Sequence, residues 1–169
     1  MKRMPLSTEK ECIQNFLAEY IIARDYKRVF SLIGTDAGME KLLPSYVNLV
    51  SAEKQKDVFI MQCFLYPQWK LYPTNASFAL YVEDPFDFIW LDFFGSAFEG
   101  DNWASTIQAS RRLKRNGTLC VTSGHRNSLG GVYDYEAKFG LLDLDIKDCK
   151  TYINNGMKMS LFTLTANHD

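Results

Sequence analysis

The chain of 169 residues carries almost no net charge: 19 lysines and arginines stand against 20 aspartates and glutamates. That balance removes the electrostatic footprint that marks a dedicated nucleic-acid or membrane-surface binder. Contact with a polyanion would have to be local, or a partner would have to supply the basic surface. Cysteine is scarce as well. Cys12, Cys63, Cys120 and Cys149 are far apart and include no CxxC pair, so the spacing of a zinc site is missing and no metal is expected. Two of the four lie in apolar runs and read as core residues, which fits a reducing, intracellular and cytoplasmic setting. No apolar run is long enough to span a bilayer, and the N-terminus lacks the apolar segment of a signal peptide. There is no internal repeat and no low-complexity linker. The length fits one domain over residues 1–169 with a sizeable core.

What is abundant is aromatic surface, 14% of residues, which suits a large core or a stacking pocket. Ile13, Phe16, Leu17, Tyr20 and Ile21 recur at helical spacing behind Thr8-Glu9-Lys10-Glu11, which has capping-box form. This predicts an N-terminal helix over about residues 8–24, packed on the core. Strand-like runs then follow at 28–33, 46–50, 69–72, 86–94 and 118–122, with helical stretches between them near 54–66, 75–81 and 103–114. Pro44 limits a short helix ahead of the second strand. Asn116-Gly117 reads as the stop of the helix before the fifth strand, and residues 135–142 read as a further helix. Asn154-Asn155-Gly156 between two strand-like runs is a hairpin signal. Alternating strands and helices give an α/β fold, a three-layer Rossmann-like sandwich. Its sheet is mostly parallel, with an antiparallel C-terminal hairpin strand, residues 157–165, beside the fifth strand.

The fourth strand, Phe86-Asp-Phe-Ile-Trp-Leu-Asp-Phe-Phe-Gly95, is almost wholly apolar, as expected for a strand covered on both faces. Asp87 lies at its start, where water is near. Asp92 lies at its carboxyl end, where such sheets bind ligands. Alternation puts Trp90 and Asp92 on one side of the strand. Asp92 reads either as a group that holds an amine and receives its proton, or as a cap for the turn before Gly95. Phe93 and Phe94 beside it are candidate walls for a planar acceptor.

Leu91-Asp92-Phe93-Phe94-Gly95-Ser96, followed by Asn116-Gly117-Thr118-Leu119-Cys120-Val121-Thr122, resembles the tRNA guanine dimethyltransferase family. In that family the fourth strand ends Asp-Pro-Phe-Gly-Ser and a Leu-Cys-Val-Thr strand follows a glycine turn; Phe93 stands in place of the proline. The strand order, terminal hairpin included, resembles the wider Rossmann-like S-adenosylmethionine-dependent methyltransferases over nearly the whole chain. The hairpin also sets the chain apart from dinucleotide-binding Rossmann proteins. The resemblance implies S-adenosylmethionine as cofactor, a nucleic-acid base as acceptor, RNA rather than DNA, and Asp92, Phe93 and Phe94 as the catalytic set.

It further implies a cofactor turn at Gly34-Thr35-Asp36-Ala37-Gly38, with Gly34, Thr35, Asp36 and Gly38 around the methionine part. Read without the resemblance, this is a tight strand-to-helix turn. Glu53 would accept from the ribose hydroxyls, or is a first-turn helix acid favoured by the dipole. Ser77, in Asn75-Ala76-Ser77 where the family often has Asn-Asp-Ala, would reach the adenine amine, or simply begins a helix. His125 and Arg126, after the fifth strand, would touch a substrate phosphate or carboxylate, or belong to a solvated loop. Arg111-Arg112-Leu113-Lys114-Arg115 falls at the opposite edge of the sheet and reads as a helix end rich in cations. A rival reading keeps the fold without the chemistry: a scaffold or subunit that binds a protein partner or a second copy of itself. The GxxxG turn, Ser77 in the place of an acid and Phe93 in the place of a proline favour it.

Overall fold

The computed structural model describes residues 6–34, 37–124 and 135–167. In chain order these form α1 (Leu6–Ala23), β1 (Arg28–Ser31), a 3-10 turn η1 (Glu40–Leu42), β2 (Asn48–Ala52), α2 (Lys56–Leu65) and β3 (Lys70–Tyr72). They continue as α3 (Ala76–Val82), β4 (Phe86–Asp92), α4 (Gly100–Arg111), β5 (Leu113–Gly124), α5 (Tyr135–Gly140), β6 (Leu144–Asn154) and β7 (Met157–Ala166). The seven strands make one sheet in the order β3-β2-β1-β4-β5-β7-β6. The pairs from β3 through β5 are parallel, and β7 runs antiparallel between β5 and β6. The hairpin strand therefore lies beside the fifth strand, as its sequence predicts. Its turn is built by Asn155 (φ 49°) and Gly156 (φ 77°), the left-handed pair that a two-residue hairpin of this twist requires.

Alternation along β4 divides the core. Phe88 and Trp90 point to the face covered by Ile13, Leu17 and Ile21 of α1 and by Met39. Ile89, Leu91 and Phe93 point to the face covered by α3, α4 and α5 through Ala79, Leu80, Ala109 and Phe139. Each of these large side chains is buried, and each contributes about 1.5–3 kcal/mol by leaving water.

Several sequence expectations shift. Helix α1 already runs from Leu6, so Thr8 lies inside it and is not its cap. Glu9 instead reaches across and accepts the Ile153 N–H at 2.6 Å. Strand β2 begins at Asn48 because the Val47 N–H is spent in a turn on Pro44 O (3.0 Å). Asn116-Gly117 is not a helix stop. Helix α4 ends at Arg111, and Asn116 (φ 64°) and Gly117 sit in a bulge of β5, where the register slips opposite Phe86 and Phe88. A Cβ on Gly117 would come within 2.9 Å of Asp87 O, so the close approach selects glycine. Among the cysteines, Cys120 is buried, while Cys63, in the apolar run of α2, is exposed.

Asp87 is tied down rather than left to water. Its carboxylate accepts the backbone N–H groups of Lys27 (3.0 Å) and Arg28 (2.8 Å) and pairs with Lys114 (3.0 Å). Burial opposes its ionisation, but Lys114 and the two amides prevail and hold the carboxyl below its ordinary range. The group fixes the start of β1 against the start of β4. Replacing Asp87 by Ala leaves those amides unpaired and is expected to destabilise the fold by roughly 2 kcal/mol. Lys114→Ala should lose less than about 1 kcal/mol, since its ammonium is half-exposed. Urea unfolding of the two variants checks the ranking.

Candidate active site

The carboxyl ends of β1, β2 and β4 open into one cleft of about 380 Å³, within the size range of a small-molecule site. Leu32, Ile33 and Gly34 follow β1. Ala52 ends β2, and Glu53, Lys54 and Gln55 come after it. Thr74, Asn75 and Ala76 open α3, Asp92, Phe93 and Phe94 close β4, and α4 supplies Asp101, Asn102 and Ser105. Glu53 is set by the sheet itself: its N–H donates to Tyr72 O (2.9 Å), and its Oε1 accepts from Gln55 N (2.7 Å). Asn75 caps α3, accepting from Phe78 N at 3.0 Å and from Ser77 Oγ at 2.9 Å. Among the described residues, three carboxylates, Glu53, Asp92 and Asp101, line the cleft with one ammonium, that of Lys54, and Lys10 pairs with Asp92 from beneath. The cleft therefore favours a cationic ligand.

Beneath Asp92 lies a polar cluster that crosses from the sheet to α1. Lys10 forms an ion pair with the Asp92 carboxylate, and its ammonium stands 5.3 Å from the centre of the Trp90 ring. Trp90 Nε1 donates to Thr122 Oγ1 at 3.1 Å. Burial pushes the Asp92 carboxyl above its ordinary range, with Lys10 and then Thr122 opposing. Glu40, carried in by η1, is 3% exposed and accepts from Ser31 Oγ. The Tyr152 hydroxyl, on β6, is buried with no partner at hydrogen-bonding geometry among the described residues. Burial and then the Asp92 carboxylate hold that phenol well above its usual range, with Thr122 opposing.

The loop after β4 is held from below. Gly124 N donates to Gly95 O (3.0 Å), Ala97 N donates to Ser123 Oγ (3.1 Å), and Asn102 Nδ2 donates to Ser96 O (2.9 Å). A Cβ on Gly124 would fall 2.7 Å from Phe94 O, so this glycine lets the loop lie close over β5. Phe93 is thereby tucked into the core at 6% exposure, while Phe94 stands out at 59%.

The structure thus brings Gly34, Glu53, Asp92, Phe93 and Phe94 to one cleft. Ser77 is not among its lining residues. It faces a neighbouring hollow between α3 and α4 with Phe78, Tyr81 and Ile107. Gly38 does not line the cleft either, since a Cβ built there would fall on the side chain of Gln14 in α1. Thr35, Asp36, His125 and Arg126 lie outside the described residues. Sequence reasoning missed Lys10, Glu40, Tyr152 and the anchors Ser123, Gly124 and Asn102. The pattern Leu-Asp followed by aromatics and a glycine marks the loop, but nothing in it names what holds the loop.

No protein-family model matches the sequence, and no curated protein matches it. Solved structures do match. An S-adenosylmethionine-dependent methyltransferase from Clostridium acetobutylicum superposes with a TM-score of 0.72 at 11% identity, over 95% of this chain and 92% of that one. The N-methyltransferase NodS from Bradyrhizobium japonicum gives 0.71 at 15% identity, over 99% and 100%. Magnesium protoporphyrin IX methyltransferase from Synechocystis, solved with S-adenosylmethionine bound, gives 0.71 at 7% identity, over 98% and 86%. The fold is that of the class I S-adenosylmethionine-dependent methyltransferases. In this methyltransferase fold the cleft of Gly34, Glu53 and Asp92 occupies the carboxyl edge of the sheet, where strand order reverses between β1 and β4.

The cluster beneath Asp92 predicts a pH dependence of stability. Burial raises the Glu40 carboxyl from 4.5 to about 7, opposed by Ser31. The folded state therefore holds this proton more tightly than the unfolded state does. Glu40's contribution is most favourable below about 4.5, declines as pH rises through about 7 and is then flat. The full change is about 3 kcal/mol. Glu40→Gln, a neutral side chain of the same shape, should remove most of this slope and be the more stable protein at about pH 8. Urea unfolding of parent and variant across this range measures it.

Proposed function

We propose that the chain is an S-adenosylmethionine-dependent methyltransferase that acts on an amine nitrogen of a planar base, with Asp92 as its catalytic carboxylate. One observation carries the reading: Glu53 and Asp92 stand at different strand ends of a single cleft, with the glycine end of β1 between them.

The lining fits the cofactor. Glu53 offers a carboxylate to a vicinal diol, since one carboxylate can accept from both hydroxyls. Gly34, without a Cβ, leaves its backbone open to the amino-acid part. Ala52, Ala76 and Leu32 offer apolar surface to a ring. The excess of carboxylates suits a sulfonium cation. When bound, S-adenosylmethionine supplies a sulfonium-activated methyl group that passes in line to a nitrogen lone pair, the bond electrons staying on sulfur.

The rest is work for this chain. Asp92 accepts a hydrogen bond from the acceptor amine, aims its lone pair into the cleft and takes the proton the nitrogen loses. Lys10 counters the burial of that carboxylate and so favours the ionised form that the proton transfer needs. Phe94, exposed beside Asp92, offers a face on which a base can stack. Holding acceptor and donor in register supplies most of the acceleration. An RNA base is the acceptor class we favour, on the likeness of Leu91–Ser96 and of the Gly117–Thr122 strand to the tRNA guanine dimethyltransferases. NodS, by its name, also methylates nitrogen.

Transfer of labelled methyl groups to a small-RNA pool and to free nucleosides tests this reading. Asp92→Asn should lower kcat by about 10²–10⁴-fold while leaving S-adenosylhomocysteine affinity within about threefold. Glu53→Ala should instead weaken that affinity by about 10–100-fold. An Asp92→Asn protein that labels the acceptor as fast as the parent would refute the catalytic role. So would one that unfolds while its surviving fraction keeps full activity, since Asp92 would then be a structural cap.

A further inference from the structure

Helix α2 buries one side chain completely, and that side chain is polar: Gln62 is 0% exposed. An amide is a costly choice for a fully buried position unless it satisfies another polar group there. What it satisfies is backbone at the wall of the cleft. Gln62 Nε2 donates to Ile33 O at 2.8 Å and reaches Gly34 O at 3.5 Å. Two carbonyls face this end of the carboxamide, so it is the donor end.

The backbone it holds lies beyond the strand ladder. Pairing of β1 with β2 and β4 ends at Phe30 and Ser31, yet Ile33 is still buried at 3% exposure. Buried backbone groups past the ladder need partners from elsewhere. Three neighbouring elements supply them. Trp90 O on β4 accepts the Leu32 N–H (3.2 Å), Ser51 Oγ on β2 accepts the Ile33 N–H (3.4 Å), and Gln62 on α2 takes the Ile33 carbonyl. Leu32, Ile33 and Gly34 form the β1 side of the cleft. Gln62 is not among the lining residues, so it acts on the cleft through that backbone.

We infer that Gln62 is a positioning residue for the cofactor: its carboxamide fixes the Ile33–Gly34 peptide that meets the amino-acid part of S-adenosylmethionine. The inference rests on the proposed function, which sets that part of the cofactor against the backbone of Gly34. A trans peptide carries its N–H opposite its C=O. Holding Ile33 O on α2 therefore turns the Gly34 N–H away from that helix. A fixed backbone N–H is a suitable donor to the carboxylate of an amino-acid ligand. Trp90 and Ser51 hold only N–H groups of this stretch. The carbonyl side, which sets the direction of the Gly34 N–H, is left to Gln62. Without it the peptide is free to rotate, and the ligand must pay the ordering of that donor when it binds.

Binding of S-adenosylhomocysteine and of 5′-methylthioadenosine, which lacks the amino-acid part, to the full chain tests this inference. Gln62→Met keeps an unbranched side chain of similar length and removes its donor. It should weaken S-adenosylhomocysteine by about 10-fold or more and leave 5′-methylthioadenosine within about twofold. A side chain that only filled the core would cost both ligands alike. A second readout needs no variant: in the parent, the Gln62 side-chain amide resonances should shift with S-adenosylhomocysteine and stay in place with 5′-methylthioadenosine. Equal losses for the two ligands, an unchanged S-adenosylhomocysteine affinity, or side-chain resonances that stay still while it binds would each overturn the inference and leave the cofactor cleft standing. A parent that binds neither ligand at about millimolar concentration would overturn the proposed function itself, and this inference with it.

Discussion

The candidate site depends on one topological constraint. Strands β1 and β4 lie side by side and parallel, but the chain leaves them in opposite directions, β1 toward β2 and β4 toward β5. Two connections that diverge from neighbouring strand ends cannot cover the gap between them. The gap stays open at the carboxyl edge, and the residues just past each strand become its walls. This is why Gly34 and Asp92 share a cleft although 58 residues separate them in sequence. The buried middle of the sheet, from Phe30 to Leu91 and Leu119, keeps those ends in register.

A second constraint is electrostatic. A carboxylate at the end of a doubly covered strand loses much of its water, which is costly unless something replaces it. Asp92 receives Lys10 from α1, and α1 is held to the hairpin by Glu9 on Ile153 N. The N-terminal helix is therefore part of the site, because it carries the counter-charge. Glu40 and Tyr152 lie close enough to feel the Asp92 charge. The ionisation of Asp92 thus depends on α1 and β5, through Lys10 and Thr122, and its charge is felt in η1 and β6. Polar groups of this kind weaken a purely apolar core, and they concentrate where a protein has chemistry to perform.

The sequence was most informative where one rule acted alone. The run Phe86–Leu91 is apolar on both alternating faces, and it is the central strand. Asn155-Gly156 supplies two left-handed residues, and it is the hairpin turn. It was least informative where contacts join distant segments. Lys10 is remote from Asp92 in sequence, and nothing in the helical pattern of α1 distinguishes Lys10 from any other solvent-facing lysine. Asn116-Gly117 satisfies a helix stop and a strand bulge equally well, and only the approach of Asp87 O decides between them. Nothing in the spacing of α2 announces that Ile60, Met61, Phe64 and Leu65 turn outward while Gln62 is buried on Ile33 O. The turn after β1 shows a similar split. Gly34 reaches the cleft, while Gly38 is turned against Gln14.

On the proposed function, the open carboxyl edge between β1 and β4 binds S-adenosylmethionine. Titration of the isotopically labelled full chain with S-adenosylhomocysteine, followed by backbone amide shifts, tests it most directly. Saturable perturbation is expected at Gly34, at Glu53 to Gln55, at Asn75 and at Asp92 to Phe94, with the amides of the opposite edge near Asp87 and Lys114 unmoved. An absence of binding at about millimolar ligand, or perturbations confined to the amino edge of the sheet, would contradict it.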